Sequence, residues 1–317
     1  MNSFLEIDTI VKKYADYTAL NGISLQIPKG SIFGLLGPNG AGKTSLIRII
    51  NQITLPDSGT IILNGQQLKP SDVKNIGYMP EERGLYKSMK VGEQCLYLAQ
   101  LKGMSKNDAK VQLDYWFNKL EIQGWWNKKI EELSKGMAQK IQFVVTVLHQ
   151  PQLLIFDEPF SGFDPVNANL IKDEILELKQ KGATIIFSSH RMESVEELCD
   201  DIALLHKSNK ILDGKLVDIK KQFRTNTFEV GIITSDETTL ITNLSQKFTI
   251  AKTNFKTLNN ELKLEINSNT YAPNEILQTL LQYGQVTHFT EKIPSVNDIF
   301  IAAVTSKTNS SQIKNNN

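Results

Sequence analysis

GPNGAGKTS, residues Gly37 to Ser45, follows the apolar run SIFGLL and precedes SLIRII, whose apolar residues recur at helical spacing. It fits the pattern G-x-x-x-x-G-K-[ST] in the strand–turn–helix setting that the pattern requires. Gly37, Gly40 and Gly42 allow the loop, which also holds Pro38, Asn39 and Ala41, to turn its available backbone N–H groups inward, where they cradle phosphate oxygens. The helix that starts at Lys43, Thr44 and Ser45 adds its dipole, Lys43 adds a full charge, and the Thr44 hydroxyl is suited to Mg²⁺. The expected ligand is a nucleoside triphosphate.

LLIFDEP, Leu153 to Pro159, supplies the complement. Four apolar residues predict a buried strand, and Asp157 falls at its C-terminal end, where an open α/β sheet places its ligands. That carboxylate suits Mg²⁺, directly or through water. Glu158, one residue on, is placed to act as general base on a water aimed at the γ-phosphate.

Outward from these two motifs, strand and helix signals alternate through residue 220. ATIIFSSH reads as another buried strand, and NANLIKDEILELKQKG as a helix with a glycine stop. Alternation of this kind predicts a mainly parallel sheet covered by helices. From Thr227 the order changes to βαββαβ plus a final helix, which predicts a small ferredoxin-like α+β domain. The polar run SKTNSSQIKNNN is expected to be disordered.

The 317 residues suffice for two domains, and 40% hydrophobic with 22% charged residues is the balance of a globular protein. A net charge of +1 argues against nucleic acid as a partner. Cys95 and Cys199 lack metal-ligand spacing and are expected to be reduced thiols. The opening residues show no signal-peptide core, and no apolar run approaches the roughly 18 residues needed to cross a bilayer.

With these motifs in order, the chain resembles the ATP-binding subunits of ABC transporters from residue 4 to about 220. LSKGMAQK, Leu133 to Lys140, resembles the family's signature, SGFD, Ser161 to Asp164, its D-loop, and His190 its switch histidine. Tyr14 stands where the family stacks an aromatic ring on adenine. The resemblance implies ATP and Mg²⁺ as cofactors, with Glu158 and His190 catalytic. It also implies a head-to-tail dimer in which Ser134 and Gly136 of one subunit face the nucleotide of the other. Lys135 and Met137 depart from the usual signature, but the phosphate-facing Ser134 and Gly136 remain. The implied partners are a polytopic membrane permease and a second ATP-binding subunit, with the chain lying peripherally on the cytoplasmic face of the membrane. Expected bounds are an ATP-binding domain over 1–221 with a helical subdomain at about 86–150, an accessory domain over 222–306, and a tail over 307–317. The accessory part resembles that of bacterial exporters that include sodium-extrusion ATPases. A soluble ATPase acting on ribosomes or chromosomes, and a non-hydrolysing switch, are the competing readings.

One stretch departs further. IGYMPEERGLY, Ile76 to Tyr86, falls where the family has a loop that touches both Mg²⁺ and the membrane subunit, and Glu81 replaces the usual Gln. A carboxylate is a good Mg²⁺ ligand, yet at ~5 Å and an effective dielectric of ~20 it repels each unit of phosphate charge by about 3 kcal/mol. The expectation is that Glu81 is a metal ligand when the loop is drawn in, with Arg83 offsetting part of the repulsion.

Overall fold

The computed structural model describes residues 3–82, 84–252, 261–268 and 271–314, with side chains to residue 305. Arg83, with the role expected of it, lies outside the described residues. So do residues 253–260, within the segment expected to have the order βαββαβ.

The chain divides into two compact units, one of Met1–Val217 with Phe300–Asn317 and one of Asp218–Ile299. The second unit thus begins four residues before the boundary expected at 222. In the first, β1 (Ser3–Tyr14), β2 (Tyr17–Pro28), β3 (Ile32–Leu36), α1 (Lys43–Ile50), β4 (Ser58–Leu63), β5 (Gln66–Gln67) and β6 (Ile76–Met79) come first. Three helices follow, α2 (Val91–Leu101), α3 (Lys106–Lys119) and α4 (Lys135–Val147). The unit continues through β7 (Leu153–Asp157), α5 (Pro165–Gln180), β8 (Thr184–Ser188), α6 (Met192–Leu198), β9 (Asp201–His206) and β10 (Asn209–Lys215). Helix α7 (Leu216–Gln222) crosses the boundary between units.

A six-stranded sheet runs β10-β9-β3-β8-β7-β6, parallel except for the β9–β10 hairpin. Strands β3, β7 and β8 are buried at every residue, as expected of central strands covered on both faces. The β1 and β2 segments do not join this sheet. Their alternating pattern, apolar on one face, builds a separate antiparallel sheet in the order β2-β1-β4-β5, packed over α1. Among the described residues no helix is long and apolar enough to cross a membrane. Both cysteines are buried and unpaired.

The second unit contains β11 (Thr227–Ile233), α8 (Glu237–Ser245), β12 (Thr249–Lys252), β13 (Leu262–Asn267), α9 (Pro273–Leu281) and β14 (Gln285–Glu291). Its antiparallel sheet has the order β12-β13-β11-β14, the ferredoxin-like arrangement. Alternate residues Phe228, Val230 and Ile232 meet Leu264, Ile266, Leu240 and Ile276 in its core. The final helix, α10 (Val296–Lys314), extends eight residues into the segment expected to be a disordered tail. Ser295 and Asp298 cap its start, and the sequence beyond contains no Pro or Gly to stop it.

Candidate nucleotide site

The loop between β3 and α1 owes its shape to glycine. Gly37, Gly40 and Gly42 have φ of 146°, 78° and 108°. A Cβ on Gly37 would meet the Leu205 carbonyl at 2.2 Å, and one on Gly42 the Ala19 carbonyl at 2.4 Å, so the loop is walled by β9 and β2. Lys43 Nζ donates to the carbonyls of Gly37, at 2.6 Å, and Pro38, at 3.2 Å. Burial lowers its pKa, while the charges of Asp157, Glu158 and Glu81 act in the opposite direction. Pro38, Asn39, Gly40 and Thr44 are exposed, Ala41 is buried, and Ser45 is half-buried in the first turn of α1.

Asp157 ends β7 and is buried. Burial pushes its carboxyl up, and the negative charges of Glu81 and Glu158 push the same way against the pull of Lys43. A buried carboxylate with acidic neighbours and an exposed threonine hydroxyl are hard oxygen donors that a small divalent cation would satisfy. Glu81 itself is exposed, and its charge acts on both Lys43 and Asp157. Glu82 is also exposed.

Glu158 follows in a left-handed conformation, φ 50°, a strained backbone for a side chain of this kind and one often found at functional sites. Its carboxylate accepts three hydrogen bonds. Ser189 Oγ donates to Oε2 at 3.0 Å, the His190 backbone N–H to Oε1 at 2.6 Å, and His190 Nδ1 lies 2.7 Å from Oε1. A proton on Nδ1 makes that contact a donation and leaves Nε2 as the accepting nitrogen of a ring that is 67% exposed. The predicted base and the predicted switch histidine are therefore in direct contact, across 32 positions of sequence.

The other predicted residues stand at helix starts. Ser134 caps α4, accepting from the Met137 N–H, and no acidic residue occupies that helix's first turn. A Cβ on Gly136 would lie 3.4 Å from the Gly162 carbonyl, so the SKG and SGFD segments adjoin. Asp164 caps α5, its two oxygens accepting from Asn167, which lowers its pKa. Tyr14 is exposed with Lys12 Nζ 5.5 Å from its ring centre. Tyr17 lines the cavity beside Pro38–Ala41, and its hydroxyl donates to the Gly40 carbonyl at 2.8 Å.

Sequence patterns did not single out Ser189, Gln139 or Gln142. Gln139 Nε2 donates to the Pro159 carbonyl and Gln142 Nε2 to the Pro80 carbonyl. Next to these contacts lies an open groove of about 300 Å³, walled by Ile53, Tyr78, Leu85, Leu98, Leu101 and Val145.

Comparison with known proteins accords with this geometry. Residues 20–161 match the ABC transporter family model, and residues 214–304 match the C-terminal domain of ATP-binding proteins of the DrrA1-3 type. The linearmycin resistance ATP-binding protein LnrL of Bacillus subtilis (strain 168) is 35% identical, covering 68% of this chain and 70% of LnrL. A solved ATP-binding subunit of an ABC transporter superposes with a TM-score of 0.65 at 31% identity, over 70% of this chain and 93% of that one. The ABC transporter ATP-binding protein YhaQ of Bacillus subtilis (strain 168) is 43% identical over 95% of this chain and 98% of its own length. The chain therefore belongs to the ATP-binding proteins of ABC transporters and is an ATPase of that family.

Proposed function

We propose that this ATPase drives export of a solute through a separate membrane permease, working as one half of a head-to-tail pair of ATP-binding subunits on the cytoplasmic face of the membrane. The observation that carries turnover, rather than passive nucleotide binding, is the Glu158 carboxylate held by Ser189 and His190 beside the phosphate loop. Export is supported by a relative named for linearmycin resistance. The cargo itself would touch the permease.

In this reading the loop from Gly37 to Gly42 presents backbone N–H groups to the phosphates, and Lys43 leaves its own carbonyl partners to bind them. Tyr14 stacks on the adenine. Thr44, Asp157 and Glu81 would hold Mg²⁺, which supplies charge neutralisation at the phosphates. Glu158 accepts a proton from the attacking water, and the ring of His190, anchored by Nδ1 and protonated at Nε2 as well, offers its Nε2–H to the γ-phosphate. Ser134 and Gly136 of the second subunit close the site with the start of α4, a positive helix end without acidic competition. Asp164 keeps the SGFD segment in register at that junction. The apolar groove beside Pro80 receives the permease.

Glu158→Gln tests the reading. Hydrolysis falls about 10²–10³-fold, ATP binding persists, and ATP shifts the chain from monomer to dimer on size exclusion. A wild type that binds ATP but turns over no faster than Glu158→Gln would leave only a nucleotide switch. Purification with the permease then identifies the cargo as the solute that stimulates hydrolysis.

A further inference from the structure

Helix α4 carries two buried amides three residues apart, Gln139 and Gln142. Each reaches a proline carbonyl at the end of a different parallel strand. Gln139 Nε2 donates to Pro159 at 3.2 Å, the residue after Glu158. Gln142 Nε2 donates to Pro80 at 2.8 Å, the residue before Glu81, and the Glu82 carbonyl lies 3.5 Å away. Strands β6 and β7 stop at Met79 and Asp157, so both carbonyls lie beyond their ladders. The helix capped by Ser134 is thereby bonded to the backbone just past the ends of both β6 and β7.

The Gln142 bond has a fixed sense. A carbonyl only accepts, so the amide nitrogen must face Pro80 and the amide oxygen must point away. That oxygen, Oε1, is buried and has no partner among the described residues. An apolar side chain of the same volume would pack here without burying an unpaired acceptor. Packing alone therefore does not account for an amide at this position, whereas holding the loop does. The carbonyls of Pro80 and Glu82 flank Glu81, and a donor shared between them restrains the backbone that aims its carboxylate.

We propose that Gln142 is a positioning residue for Glu81. It fastens the Pro80–Glu82 backbone to α4, so the aim of the Glu81 carboxylate follows any rotation of the helix that carries Ser134 and Gly136. Gln139 provides the matching anchor on the Glu158 side. The inference rests on the reading that Glu81 serves the nucleotide site.

A double-mutant cycle in the full-length chain tests it, using Gln142→Met, Glu81→Gln and the combination. Gln142→Met keeps length and volume but has no donor. It lowers kcat about tenfold, leaves KM for ATP within about twofold, and raises the Mg²⁺ concentration needed for half-maximal rate. Its melting temperature stays at or above that of the wild type. In the combination the loss is no larger than in the worse single variant, because both act through one carboxylate. Gln142→Glu, which retains polarity but presents an acceptor to Pro80 when ionised, is impaired as much as Gln142→Met; it also serves if Gln142→Met does not fold. Losses that multiply, or a Gln142→Met enzyme like wild type beside an impaired Glu81→Gln, overturn the inference alone. A Glu81→Gln enzyme like wild type in rate and Mg²⁺ dependence overturns the Glu81 reading and the inference with it.

Discussion

His149 illustrates how one buried group sets a pH limit on the fold. Burial, aided by the Lys102 charge, lowers its pKa to about 4 from an ordinary 6.5. The folded state then resists a proton that the unfolded chain accepts. Stability is full above about pH 6.5 and declines as pH falls toward 4, by about 2 kcal/mol after allowance for partial exposure. His149→Gln removes this dependence, and denaturant titrations at pH 7 and pH 5 measure it: the gap between the two narrows in the variant. The phosphate-loop residues, Asp157 and Glu158 were legible in sequence because their chemistry is written in contiguous motifs. Gln142 was not, because its partner Pro80 is 62 positions away and nothing local marks a glutamine as an anchor. The Tyr17 bond to Gly40 was not legible for a similar reason, since it depends on how β2 meets the loop.

At the scale of elements, the helices between β6 and β7 show what periodicity leaves out. The segment 86–150 was expected to be helical from family resemblance, and α2, α3 and α4 lie within it. Gly92, in the first turn of α2, reads in sequence as a weak point of a helix. In the fold it is a contact surface, since a Cβ there would lie 2.3 Å from the Trp126 indole. Trp126 in turn meets Phe117 of α3 edge-on at 5.6 Å, so the glycine lets the three-helix layer close. Gly92→Ala gains helix propensity yet loses about 1–3 kcal/mol through overpacking, measurable as a lower midpoint in urea. The β1–β2 hairpin teaches the complementary lesson. Its membership of a separate antiparallel sheet was not legible, because it depends on pairing with β4 some fifty residues on.

At the scale of the whole chain, the order of elements was the most legible property. A βαββαβ pattern with alternating apolar residues leaves little choice of topology, and the strand order in Asp218–Ile299 follows it. The end of α10 was less legible, because a polar composition argues for disorder while the lack of a breaker lets a helix run on. One feature of the first unit reaches beyond structure into how the subunit must be produced. The groove beside Pro80 keeps Leu101 and Ile53 more than 60% exposed next to Leu85 and Leu98. Exposed apolar surface of this kind favours self-association and capture by quality-control machinery. If the groove receives the permease as proposed, a copy synthesised without that partner is an orphan with a sticky flank, and matched production of the two polypeptides becomes a condition of its survival. Co-expression with the permease raises the recovered amount of this chain, and Leu101→Lys raises it without the permease. Equal recovery in all three cases would show that the groove imposes no such demand.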